Sequence, residues 1–131
     1  MSISFDKALG IHPEALSLRA RRLEMISSNL ANADTPNYKA RDLDFRAALQ
    51  HATEGNEVRL RRTSNAHFAH AENGVTGEPL YRMPSQPSLD GNTVDPQLEQ
   101  AAFSQNAIQY QASLDFLNAR FRGLRTALTG E

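Results

Sequence analysis

The sequence predicts a mainly α fold, with N- and C-terminal helices packed as an antiparallel, coiled-coil-like pair and a poorly ordered middle segment that has room for short β-strands. Three observations carry this expectation. Apolar residues recur at helical spacing at both ends of the 131-residue chain, proline and turn formers bracket those runs, and the middle is broken by glycine and proline without a sustained period. The chain divides accordingly into 1–40, 41–94 and 95–131.

In the first segment Leu9, Leu16, Leu23 and Leu30 fall seven apart, with Ala20 and Ile26 filling the same side. Pro13 starts or kinks this helix, because inside it a proline would remove a backbone hydrogen bond and clash with the preceding turn. Asp34-Thr35-Pro36-Asn37 ends it, since proline disfavours helical geometry in the residue before it.

Gly55, Gly74, Gly77, Pro79, Pro84, Pro87 and Gly91 punctuate the middle segment, which is expected to contribute no core. Val58-Arg59-Leu60-Arg61 alternates as a short strand does, and Asn73-Gly74 has turn chemistry. So long a stretch without regular structure points to a functional role or to ordering outside the free monomer.

The last segment has the strongest pattern. Phe103, Ala107, Tyr110, Leu114, Leu117, Phe121, Leu124 and Leu128 follow one another at alternating steps of four and three, a heptad seam. Asp95 ahead of Pro96 supplies a side-chain acceptor and then a preset φ, and so marks the helix start. A helix from there to Leu128 is roughly 50 Å long, and its narrow seam requires a partner helix, because helical stability comes mostly from burying the apolar face.

Composition narrows the function classes. Hydrophobic residues are 40% and aromatic residues 7% of the chain, and cysteine is absent, which rules out disulfides, thiolate metal sites and thiol nucleophiles. Basic and acidic residues number seven and six in 1–46, four and five in 47–94, three and four in 95–131, so no basic stripe is offered to nucleic acid or to an anionic membrane. Arg19, Arg21 and Arg22 are expected to spread over a solvated helix face. Met1 to Gly10 carries Asp6 beside Lys7 and no long apolar run, so neither a cleaved secretory signal nor a membrane helix is expected.

Candidate sites are few. His67, His70 and Glu72 form the only cluster with metal-ligand spacing, yet two imidazoles and one carboxylate do not close a site, and His12 and His51 lie elsewhere. Asp42 and Asp44 do not share a helix face, as paired acid–base carboxylates would need to. Phosphate-binding, nucleophile-elbow and zinc-protease motifs are absent, so neither an enzyme nor a cofactor is expected.

One string is more particular than a helix end requires: Ser28-Asn29-Leu30-Ala31-Asn32-Ala33-Asp34-Thr35-Pro36-Asn37-Tyr38-Lys39-Ala40-Arg41. Asn29 and Asn32 are poor helix-interior residues whose amides can satisfy carbonyls left open in a last turn. The string resembles the N-terminal motif shared by axial proteins of the bacterial flagellum, the rod and hook subunits. Asp42-Leu43-Asp44-Phe45 and the approach Asp90-Gly91-Asn92-Thr93-Val94-Asp95 are similar to the proximal-rod members of that family, and the likeness spans roughly 5–50 and 88–128.

The resemblance implies a structural subunit of the proximal rod that polymerises through its terminal helices into the shaft transmitting torque from the MS ring. It implies export in the unfolded state through the flagellar type III apparatus, without a cleaved signal, and assembly in the periplasm. Its partners would be further copies, other rod subunits such as FlgC, and the MS-ring junction protein FliE. Leu16, Leu23 and Leu30, together with the eight seam positions from Phe103 to Leu128, would form the helix-packing interface, and Phe45 with Leu49 would match the family's short export signal. The rival reading is a soluble cytoplasmic coiled-coil adaptor, which leaves the Asn29–Tyr38 string without a reason.

Overall fold

The structure is a computed structural model that describes residues 8–54, 77–84 and 86–130. Helix α1 spans His12–Ala31 with Pro13 in its first turn, so the proline starts the helix rather than kinking it. Strand β1 (Arg41–Leu43) and helix α2 (Phe45–Glu54) follow, then strand β2 (Pro79–Tyr81) and the long helix α3 (Pro96–Thr129). Ala8 and Leu9 are also helical, ahead of a turn at Gly10 and Ile11.

Helix α3 begins as its sequence dictates. The Asp95 carboxylate accepts from the backbone N–H groups of Gln97 and Leu98, and Pro96 occupies the first turn, where its missing N–H costs nothing. Gly130 closes the other end in the left-handed conformation, its N–H returned to the Thr126 carbonyl.

α1 and α3 pack antiparallel over most of α1, from His12 against Phe116 at one end to Asn29 against Glu99 at the other. β1 and β2 form a two-stranded antiparallel ladder in which Arg41 faces Tyr81 and Leu43 faces Pro79. This ladder and α2 cover one side of the helix pair. The small core sits there: Leu18, Leu43 and Ala48 are buried, with Met25, Phe45 and Leu49 packed round them. Buried Gly77 lies against Leu43 and Ala48, so close that a Cβ would have to displace them.

The middle segment therefore does contribute core, contrary to expectation, because the short strand and α2 give Leu43 and Ala48 an apolar surface on α1 to close on. The strands form at 41–43 and 79–81. The strand expected at Val58–Arg61, the Asn73-Gly74 turn and the His67–Glu72 cluster all lie outside the described residues.

Candidate assembly interface

Asn29 is the most fully used side chain of the family-like string. It is wholly buried, its Nδ2 donates to the Arg41 carbonyl at 2.7 Å and to Glu99 Oε2 at 3.3 Å, and its Oδ1 accepts from the Arg41 N–H at 3.0 Å and from the Tyr38 hydroxyl at 3.4 Å. A carboxamide that both gives to and takes from one residue's backbone imitates a neighbouring strand. Asn29 thus closes the outer edge of β1 and ties it to both terminal helices.

Asn32 acts as the sequence suggests, its Nδ2 donating to the Ser28 carbonyl in the last turn of α1 at 2.8 Å, while its Oδ1 accepts from the Thr35 hydroxyl. The carbonyls of the turn that follows belong to Asn92, whose Nδ2 donates to those of Asn32, Ala33 and Thr35. The turn is then stitched to the approach of α3: Asn37 N–H to Asp90 O, Thr93 N–H to Tyr38 O, Ala40 N–H to Thr93 Oγ1, and Lys39 Nζ to Gly91 O. Gly91 holds φ +74°, and a Cβ there would strike the Asn37 side chain, so the close approach of the two segments requires glycine. Leu30, Ala31, Asp34, Thr35 and Pro36 stay exposed on this turn, as does Ser28.

A chain of charges crosses the same region. Arg22 holds Asp42 through two hydrogen bonds of 2.8 and 2.9 Å, Asp42 Oδ2 also accepts from Arg82 at 2.6 Å, and Arg82 reaches buried Glu99 at 2.6 Å. α1, β1, the end of β2 and α3 are joined in one neutral network, which the sequence, weighed only for an Asp42–Asp44 acid–base pair, gave no sign of. Burial raises the Asp42 carboxyl, but its hydrogen bonds from Arg22, Arg82 and the Leu43 N–H outweigh this and hold it below the usual range. The hydrogen bond to Asp42 raises the Arg22 guanidinium correspondingly.

Nor do the clustered arginines spread over a solvated face. Arg19 donates to Ser113 and Gln109 of α3, and its guanidinium lies 4.2 Å from the centroid of the Phe45 ring, while Arg22 serves the network above. Arg21 alone of the three is exposed. The reason is tertiary: α1 is covered on two sides, and a long side chain can lay its stem on the core while its head meets a partner.

The surface that α3 turns to α1 is polar. Glu99, Asn106 and Ser113, seven apart, are its buried residues, and Asn106 Nδ2 donates to the Arg19 carbonyl while its Oδ1 has no partner among the described residues. The apolar seam lies beside this line: Tyr110, Leu114, Leu117 and Leu124 are half-buried, and Phe103, Ala107, Phe121 and Leu128 are exposed. On α1 the buried residues are Leu18, Ile26 and Asn29, with Leu16 and Leu23 half-buried and Leu30 exposed.

At about 100° per residue, Leu16, Leu23 and Leu30 stand roughly 130° round α1 from the residues that meet β1 and α2. By the same geometry the seam of α3 is rotated roughly 60° from Glu99, Asn106 and Ser113, away from Gln109 and hence from α2. Both stripes therefore border the face of the helix pair opposite the ladder and α2. The polar line of Glu99, Asn106 and Ser113 runs beside the seam, and Leu30, Phe103, Phe121 and Leu128 leave apolar surface toward solvent.

Among the described residues no group of side chains is placed to hold a metal ion, and no helix is long and apolar enough to cross a membrane. Comparison with known proteins gives these features a context. A family model described as flagella basal body rod protein matches residues 9–39, the length of α1 and the hydrogen-bonded turn after it. The flagellar basal body rod protein FlgB of Aeromonas hydrophila is 51% identical, spanning 100% of this chain and 99% of that protein. The chain belongs to the FlgB family of flagellar basal body rod proteins.

Two further FlgB proteins agree along nearly their whole length, that of Cereibacter sphaeroides at 51% identity over 97% of this chain and 98% of its own, and that of Escherichia coli (strain K12) at 45% over 94% of each. As a FlgB-family chain it is a structural rod subunit of the flagellar basal body, associated with other rod components, and a free-standing cytoplasmic adaptor is not favoured. The string that resembled the axial proteins is now accounted for physically: its asparagines fasten the first helix to the strand and to the approach of the last.

Two outcomes follow for the isolated protein. Asn29→Ala should lower unfolding free energy by about 2–4 kcal/mol in denaturant titration, because it leaves the Arg41 backbone groups and the Glu99 carboxylate without their buried partner. For pH, the folded Asp42 carboxyl is depressed, so its contribution is present above the unfolded value of 3.8 and is lost as pH falls through the lower folded value. Acid unfolding followed by circular dichroism should therefore shift in wild type below about pH 4, and Asp42→Asn should be less stable at neutral pH with that acid-dependent component removed.

Proposed function

We propose that this rod subunit polymerises through its terminal helices into the proximal shaft that transmits torque from the MS ring, and that the apolar face bordered by Leu16, Leu23, Leu30 and the α3 seam is where neighbouring subunits pack. The observation that carries this reading is the exposure of Leu30, Phe103, Phe121 and Leu128 along that face, beside a helix contact in which α3 buries polar groups. Apolar stripes at heptad spacing pack by knobs into holes, and several hairpins laid side by side bury on one another what each leaves in water. A contact between two different patches that does not close yields a tube or filament rather than a ring.

FlgC and related rod subunits, and the junction protein FliE at the MS ring, are the neighbours this reading assigns, with further copies of the chain itself. It assigns no catalytic step: Asn29, Asp42, Arg82 and Glu99 are spent on one another. Rigidity is what torque transmission asks of a subunit. A neutral network linking four elements supplies it.

Delivery to the periplasm is assigned to the flagellar type III export apparatus, with Phe45 and Leu49 as its recognition signal. Both sit on α2, packed on Leu18, Leu43 and Ala48 and half-buried. Such residues are presented to a receptor by an unfolded chain and withdrawn once it folds, which suits a signal needed only during export.

Leu114→Asp, in mid-seam, should abolish motility and the recovery of hook–basal bodies while secretion persists, since burying a lone carboxylate costs several kcal/mol. Swimming at wild-type rate would contradict the packing face. Phe45→Ala should block secretion with the protein accumulating in the cytoplasm, whereas Leu18→Ala, which injures the same core, should be secreted normally. Equal secretion of both variants would remove Phe45 from the export signal.

A further inference from the structure

The two ends of the hairpin differ in a way that lateral packing does not use. Gly10 adopts φ +60°, which breaks the line of the chain ahead of α1, and α1 begins at His12, whose ring lies 6.1 Å from that of Phe116. Because the helices are antiparallel, the part of α3 from Leu117 to Thr129 runs on past α1 for roughly 20 Å. This overhang carries exposed Arg120, Arg122 and Arg125 and no acidic residue, with Phe121 47% and Leu128 89% exposed beside them.

The opposite end, where α1 stops and α3 starts, has the reverse character. Asp34 and Asp90 are exposed there and Asp95 caps α3, while the one lysine, Lys39, has its ammonium on the Gly91 carbonyl. Leu30 (38% exposed) in the last turn of α1, Leu98 (51%) in the first turn of α3 and Leu89 between them are exposed at this end. One end is basic with an apolar edge, and the other is acidic with an apolar edge.

We propose that the basic overhang of α3 docks on the acidic turn end of the axially adjacent rod subunit, a terminal-helix hairpin whose turn carries carboxylates flanked by aliphatic side chains. The proposal rests on the assembly reading above and adds an axial contact to the lateral one. Arginine forks pair with the turn carboxylates, and Phe121 and Leu128 cover the leucines. Overhang and turn are different patches, so the contact is head-to-tail and open-ended and repeats along an axis. Screening confines the charge attraction to about 8 Å at physiological salt, so the arginines act as a register device and not as a long-range attractor.

The test uses rods assembled in cells. A benzophenone photo-cross-linker placed at Thr126 should give, in purified basal bodies, cross-linked peptides from the acidic turn between the terminal helices of a neighbouring rod subunit. Cross-links to the same chain, to the helix seams of neighbours or to no partner would overturn the proposal. Combined Arg122→Glu and Arg125→Glu should lower hook–basal body yield by about ten-fold or more, and the corresponding lysine pair should stay near wild type, with helicity of the purified variants unchanged. Normal yield from the glutamate pair, with Leu114→Asp as a separate variant still blocking assembly, would overturn the axial contact and leave the lateral face standing.

Discussion

The fold depends on one carboxamide. Asn29, buried on α1, satisfies the outward N–H and carbonyl of Arg41 and also donates to Glu99 of α3, so a single side chain stands where a third strand would be. A strand of three residues has no stability of its own, and an unpaired backbone edge buried against a helix would cost the desolvation of both groups. With that edge closed, β1 can lie on α1 and bring Leu43 to Leu18. The Arg22–Asp42–Arg82–Glu99 network then sits across the junction it has made.

Such an arrangement trades stability for definition. A buried polar line of Glu99, Asn106 and Ser113 holds α3 to α1 less strongly than leucines would, since charged and amide groups give up water to enter it. What it confers is register: Asn106 reaches the Arg19 carbonyl, Ser113 the Arg19 guanidinium and Glu99 the Asn29 amide in one alignment of the helices only. For a subunit that associates with other rod components this division is apt: polar groups fix the chain against itself, and apolar surface remains toward solvent.

Much of this was legible beforehand. The period of α3, its Asp95–Pro96 start, the start of α1 at Pro13 and the antiparallel helix pair follow from local chemistry, and the Ser28–Arg41 string pointed to the family that the chain belongs to. Three things were not. Asp42, Arg22 and Arg82 are far apart in sequence and give no local sign of meeting. Glu99, Asn106 and Ser113 do share a seven-residue spacing, but a rule that looks for apolar periodicity passes over a polar one. And the core lent by Leu43 and Ala48 depends on a strand too short to announce itself.

What the sequence by itself determined is therefore the two terminal helices and the apolar stripes they carry, because capping, proline geometry and the 3.6-residue repeat act within a few residues of chain. Which line of each helix turns inward was decided only in three dimensions. Two helices carrying stripes at the same spacing can pair along either stripe, and the choice fell to long-range hydrogen bonds of Asn29, Asn92 and Asp42, which join residues 12 to 70 positions apart. Those bonds exist only once the segments are brought together, which is why the local pattern gave the stripes and the tertiary contacts decided which line of each helix is buried.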